Sequence, residues 1–194
     1  NSGGAVTNQT SGTISGTVGI VLSNYGGSVV NRGRVTASGY GVVIQPGGTV
    51  NNQAAGTIIA GSSGIVLGGG AGRATNSGSI QAGGVGIELR AGGTATNLGE
   101  ITAGGDGIYV SAGTAINEGV INATRHGMFL NVGGNVTNRT GGVISASQQG
   151  IVIYGASSVT NATGATIAAQ YCCSCFTRNS EQRTFQLFTG SSDH

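Results

Sequence analysis

The chain is written in short alternations. Val-x-Asn, Ile-x-Ala and Gly-Ile-x-Leu runs follow one another along most of its length, with apolar and polar positions exchanging every second residue. Period-2 alternation is the signature of a strand with one buried face. Each run is too short to survive as an isolated strand, so partners must be sought elsewhere in the chain.

The partners are copies of the same pattern. An Asn recurs at Asn8, Asn31, Asn52, Asn76, Asn97, Asn117, Asn138 and Asn161, with steps of 23, 21, 24, 21, 20, 21 and 23 residues. Two residues before each stands Val or Ala, and four or six after it stands Ile or Val, from Ile14 to Ile167. A Gly then opens an apolar-x-apolar run, as in Gly64-Ile-Val-Leu and Gly107-Ile-Tyr-Val. Self-similarity at such a period is the mark of a solenoid. The expected architecture is all-β: a right-handed, single-stranded parallel β-helix, three short strands per coil and seven to eight coils over residues 1–170. At about 4.8 Å per coil the rod would be roughly 35 Å long. Glycines at the corners are expected to supply the positive φ that tight turns need.

The inward columns of Ile, Leu and Val should pack on their own kind. The Asn column is expected to be a ladder at one corner, each amide bonding those above and below it and so sparing buried polar groups a cost of about 1–3 kcal/mol each. The sequons at Asn8, Asn138 and Asn161 then read as ladder members followed by Thr, not as glycosylation sites, which favour exposed loops.

Composition narrows the function. Of 194 residues 40 are Gly, 7% are charged, and all eight positive charges are Arg. The net charge of +2 comes without a Lys/Arg-rich face, so no nucleic-acid partner is expected. No apolar run approaches the ~20 residues that span a bilayer. Gly68 to Arg73 resembles a phosphate loop only in composition and reads as a corner. Neither a cofactor nor a metal is expected. Cys172, Cys173 and Cys175 lack the paired spacing of zinc motifs, and the nearest His in the sequence is His194.

The repeat, almost unbroken in "GGSVVNRGRVTASGYGVVI" (26–44) and "GGTATNLGEITAGGDGIYV" (92–110), resembles the passenger-domain repeats of bacterial autotransporters, the type V secreted surface proteins. The resemblance covers roughly residues 3 to 169 and implies the right hand of the helix. It also implies export to the surface of a Gram-negative cell, and a role in adhesion, self-association or as a stalk. Host or neighbouring-cell glycans or proteins are the implied partners. The chain begins in mid-repeat, without Met or signal peptide, and lacks the C-terminal barrel that would be its link to a membrane, so it is expected to be a fragment. From Tyr171 the repeat is lost, with one of the 40 Gly but three of the four Phe and all three Cys. Residues 171–194 are expected to be either a C-terminal cap, with Phe176, Phe185, Leu187 and Phe188 over the open end, or a non-native segment.

Two functional readings compete. The outward position of the third strand runs Val21, Val43, Val66, Glu88, Tyr109, Phe129, Val152, an expected exposed apolar stripe flanked by Tyr154 and Arg90. Such a stripe marks an interaction face, although strand propensity alone also favours Val and Tyr there. The expected binding residues are Tyr109, Phe129, Tyr154, Glu88 and Arg90. The rival is a polysaccharide lyase or hydrolase using carboxylates on adjacent coils. No two acidic residues share a column: Glu100 lies between Ser79 and Val120, while Glu118 sits beside Arg139 and reads as half of a surface ion pair. Asp106 and His126 do share one, and are expected to form a surface hydrogen bond. No catalytic residue is assigned.

Overall fold

The computed structural model describes residues 3–176 and 182–184, with side chains described from 3 to 173. It is an all-β right-handed solenoid of about eight coils with roughly 22 residues per turn, and no helix among the described residues. Three strands make each coil; in the fifth they are Gly93–Asn97, Glu100–Ala103 and Ile108–Val110. The first strands of all eight coils form one parallel sheet. Second and third strands count as a single fifteen-stranded sheet, because Val143–Tyr154 runs unbroken through the corner between them.

Register follows the repeat column by column. Asn76 pairs with Asn97 and Asn97 with Asn117. Ile80, Ile101 and Ile121 align, as do Ile87 and Ile108. The interior is built from these columns: Ala or Val on the first strand, Ile and Ala on the second, Ile and Leu or Val on the third. Because like stacks on like, each coil offers the next a surface it already fits, and side chains such as Ile58, Ile80, Leu89 and Ile101 are fully buried.

Two kinds of glycine do different work. Gly93, at the corner before the first strand, has φ 120° and could carry no Cβ, which would fall onto the Gly72 carbonyl oxygen. Gly107, before the third strand, has no left-handed φ. A Cβ there would overlap the Cγ2 methyl of Ile121 in the next coil and lie 2.6 Å from the Gly127 carbonyl oxygen. Gly41, Gly64, Gly86, Gly127 and Gly150 face the same obstacle, each with its own Ile. The expectation that corner glycines serve positive φ therefore holds before the first strand and, at Gly141 and Gly164, in the turn after the Asn file. Before the third strand, the glycine instead makes room for its neighbour's β-branch.

That distinction moves the boundary expected at residue 170. The strand Thr166–Phe176 stays in register with the seventh coil, Tyr171 on Gln149, Cys173 on Ile151 and Cys175 on Ile153. The eighth coil is thus completed by residues assigned to the tail. Cys172 occupies the glycine column, where no further coil among the described residues brings an Ile against it, and Cys173 takes the buried Ile position. Gln182–Thr184 then pairs antiparallel with Ser174–Phe176 and covers that part of the last strand's edge. The remaining residues proposed for a cap, Phe185, Leu187 and Phe188, and His194 lie outside the described residues.

Candidate functional site

The corner that ends the first strand holds the eight asparagines in a single file. Each Nδ2 donates to the Oδ1 of the Asn one coil on, at 2.7–2.9 Å, from Asn8 through to Asn161. The same amides donate to carbonyls of the turn, as Asn97 does to Gly99 at 3.1 Å and to Val120 at 3.1 Å. Each amide inside the file thus accepts from one neighbouring coil and donates to the next and to backbone carbonyls. Asn-x-Thr sequences also occur at Asn122 and Asn135, which the sequence reading missed; both are exposed.

The third-strand side is irregular by comparison. Three outward columns run along it. The first, before the corner glycine, reads Val18, Tyr40, Ser63, Val85, Asp106, His126, Gln149, Tyr171. The middle one is the stripe from Val21 to Val152, and the last carries Gln45, Gly68, Arg90 and Tyr154. Six Tyr and Phe rings have described side chains, and all but Tyr25 lie on this side.

The stripe is not uniformly exposed, contrary to expectation. Val21 is open to solvent, but Val66 and Val152 are each only 3% exposed. Val66 lies on the floor of a groove of about 400 Å³ whose lining includes Val43, Tyr40, Gly68 and Arg90. Val152 lies in register with Phe129 and two residues from Tyr154. Large neighbours in the same and adjoining columns crowd over small residues, an effect the strand alternation does not encode.

Glu88 and Arg90 form a fixed pair. Arg90 Nε donates to Glu88 Oε1 at 2.8 Å, and Ser63 Oγ donates to Glu88 Oε2 at 3.0 Å. The Glu88 hydrogen bond holds the Arg90 guanidinium above its ordinary pKa; partial burial opposes this and Tyr40 adds to it. Over the next three coils the aromatic residues interlock. Tyr109 and Phe129 have ring centroids 5.4 Å apart at 64°, and Phe129 and Tyr154 are 5.6 Å apart at 76°. Their quadrupoles favour this edge-to-face contact over a flat stack. Tyr154, 41% exposed, is the most open of the three.

Asp106 and His126 meet as the shared column requires, Nδ1 to Oδ1 at 2.8 Å, but not at the surface. They are 4% and 9% exposed, with the Phe129 ring 5.5 Å from the imidazole and Arg125 Nε 3.8 Å from the carboxylate. The expected surface hydrogen bond is a buried one because the outward position before the corner is overhung by neighbouring columns. Gln149, next in the file, keeps a buried Oε1 with no hydrogen-bond partner. Of the other carboxylates, Glu118 is ion-paired with Arg139, and Glu100 stands in register between Ser79 and Val120. The described residues contain no group of three His, Cys, Asp or Glu side chains placed to hold a metal ion. Comparison with protein-family models, curated proteins and solved structures gave no match to this chain.

Proposed function

We propose that this solenoid is a scaffold segment of an exported surface protein of the autotransporter-passenger kind, whose third-strand face makes adhesive contact with glycans or proteins of another surface. The observation that carries this reading is the concentration of rings on one side of the rod, where five of the six described Tyr and Phe rings lie. Aromatic residues give large contact area at low entropic cost, and Tyr offers a hydroxyl besides. Tyr109, Phe129 and Tyr154 form the apolar part of the face, and the Glu88–Arg90 pair gives it a polar end.

The polysaccharide-cleaving alternative is less well supported. A general acid or base must reach its substrate. Asp106 and His126 are enclosed, and Glu118 is engaged by Arg139. A Tyr109→Ser/Tyr154→Ser variant leaves Phe129 in place over His126 and removes the outer rings. Its adsorption to a glycan array and to cell-surface extracts should fall about tenfold, the loss of roughly 1.4 kcal/mol of contact energy. Adsorption equal to that of the unaltered protein would overturn the reading.

A further inference from the structure

The first acidic residue in the chain is Glu88; before it stand Arg32, Arg34 and Arg73 with no counter-charge. Arg32 and Gly33 form the bend that follows Asn31, and Arg34 opens the strand Arg34–Ala37. Arg32 belongs to the column just after the Asn file, where Arg139 is neutralised by Glu118 several coils later. Its own neighbours are different. Arg32 Nε donates to Gln53 Oε1 at 2.8 Å and its Nη1 to Gln9 Oε1 at 3.5 Å, so two neutral amides, one from each adjoining coil, orient the guanidinium without cancelling its charge. Arg34 lies in register between Thr13 and Thr57, is exposed, and makes no ion pair among the described residues.

These side chains line one groove of about 250 Å³, together with Thr10, Ser11, Thr13 and Thr57. Ser11 is the single non-Gly residue with positive φ among the described residues, at 68°, and lies on this lining. Two guanidiniums without a carboxylate partner, facing a concavity bordered by hydroxyls, form a site rich in hydrogen-bond donors. It suits a compact oxyanion, whose oxygens can take several charge-assisted hydrogen bonds at once.

We propose that the Arg32–Arg34 groove binds the sulfate groups of an anionic polysaccharide. A sulfate monoester provides the tetrahedral oxyanion, and the sugar hydroxyls around it match the Thr and Ser hydroxyls of the lining. The coils on either side add no charge to the two columns, which carry Gln9, Gln53 and Ser77 about Arg32 and Thr13, Thr57 and Ser79 about Arg34. That arrangement takes one anionic group, whereas a nucleic-acid strand asks for a track of cations with rings to stack its bases. This groove lies apart from the third-strand face and stands or falls separately from it.

The test is surface plasmon resonance of the full chain over immobilised heparin, chemically desulfated heparin and single-stranded DNA. R32Q/R34Q should lower heparin affinity about tenfold or more, and the binding should weaken as salt is raised. R73Q/R139Q removes the same charge elsewhere and should change affinity less than about threefold, as diffuse screening would have it. Desulfated heparin should bind the unaltered chain no better than R32Q/R34Q binds heparin. Equal losses in the two double variants, no loss in R32Q/R34Q, or DNA binding as tight as heparin binding would each overturn the assignment. So would loss of heparin binding in Tyr109→Ser/Tyr154→Ser with retention in R32Q/R34Q, a result that would leave the adhesive third-strand reading standing.

Discussion

The rod carries two polar files, and they are built on opposite logics. At the corner after the first strand, eight identical amides pass hydrogen bonds in one direction, each donor meeting the same acceptor one coil on. Before the third strand, Asp106, His126 and Gln149 follow one another, and the file stops at an orphaned Gln149 Oε1. Identical residues satisfy each other automatically at any length. Unlike residues must be matched pair by pair, as Asp106 and His126 are and the Gln149 Oε1 is not. Repetition therefore marks what holds the solenoid together, and the departures from it gather on the third-strand side.

Breaking the uniform file should have the largest effect. Asn97→Ala removes the acceptor of Asn76 Nδ2 and the donor to Asn117 Oδ1, two buried groups in a rod interior. A loss of about 3 kcal/mol is expected in denaturant unfolding, against less than about 0.5 kcal/mol for the neighbouring Thr96→Ala. Comparable losses in the two would mean that the file is decorative. The glycine column comes next. Gly107→Ala pushes a methyl into Ile121 and toward the Gly127 carbonyl, and should cost about 2 kcal/mol; in Gly107→Ala/Ile121→Ala, where the obstructing branch is gone, the combined loss should be smaller than the sum of the two single losses. Additive losses in that double variant would rule out the steric account. The smallest change is expected in the irregular file: Gln149→Leu deletes an unpaired buried oxygen, and stability should stay within about 1 kcal/mol or rise. A loss as large as that of Asn97→Ala would erase the contrast between the files.

What the sequence revealed follows the same division. The coil period, the strand alternation and the positions of the asparagines were readable because each depends on residues repeated in register. Features that depend on unlike neighbours were not. The burial of Val66 needs the groove that Tyr40 and Arg90 line from other coils, and the enclosure of Asp106 and His126 needs the overhang at the corner. The third strand of the eighth coil was hidden because Cys172 replaces the signature glycine, which is required only where another coil brings an Ile against it. Arg32 and Arg34 vanished into a whole-chain charge of +2, although the first three coils have no acid to offset them.

The central claim is that the repeated corner supports the fold while the irregular third-strand face makes contacts, and one paired measurement addresses it directly. Asn97→Ala and Tyr109→Ser/Tyr154→Ser would be compared in thermal melting and in adsorption to the same glycan and protein surfaces. The account predicts a crossing: the first variant melts lower and, below its transition, adsorbs normally, whereas the second melts near the unaltered protein and adsorbs about tenfold less. Adsorption that tracks melting temperature in both variants, or that neither variant changes, would contradict it.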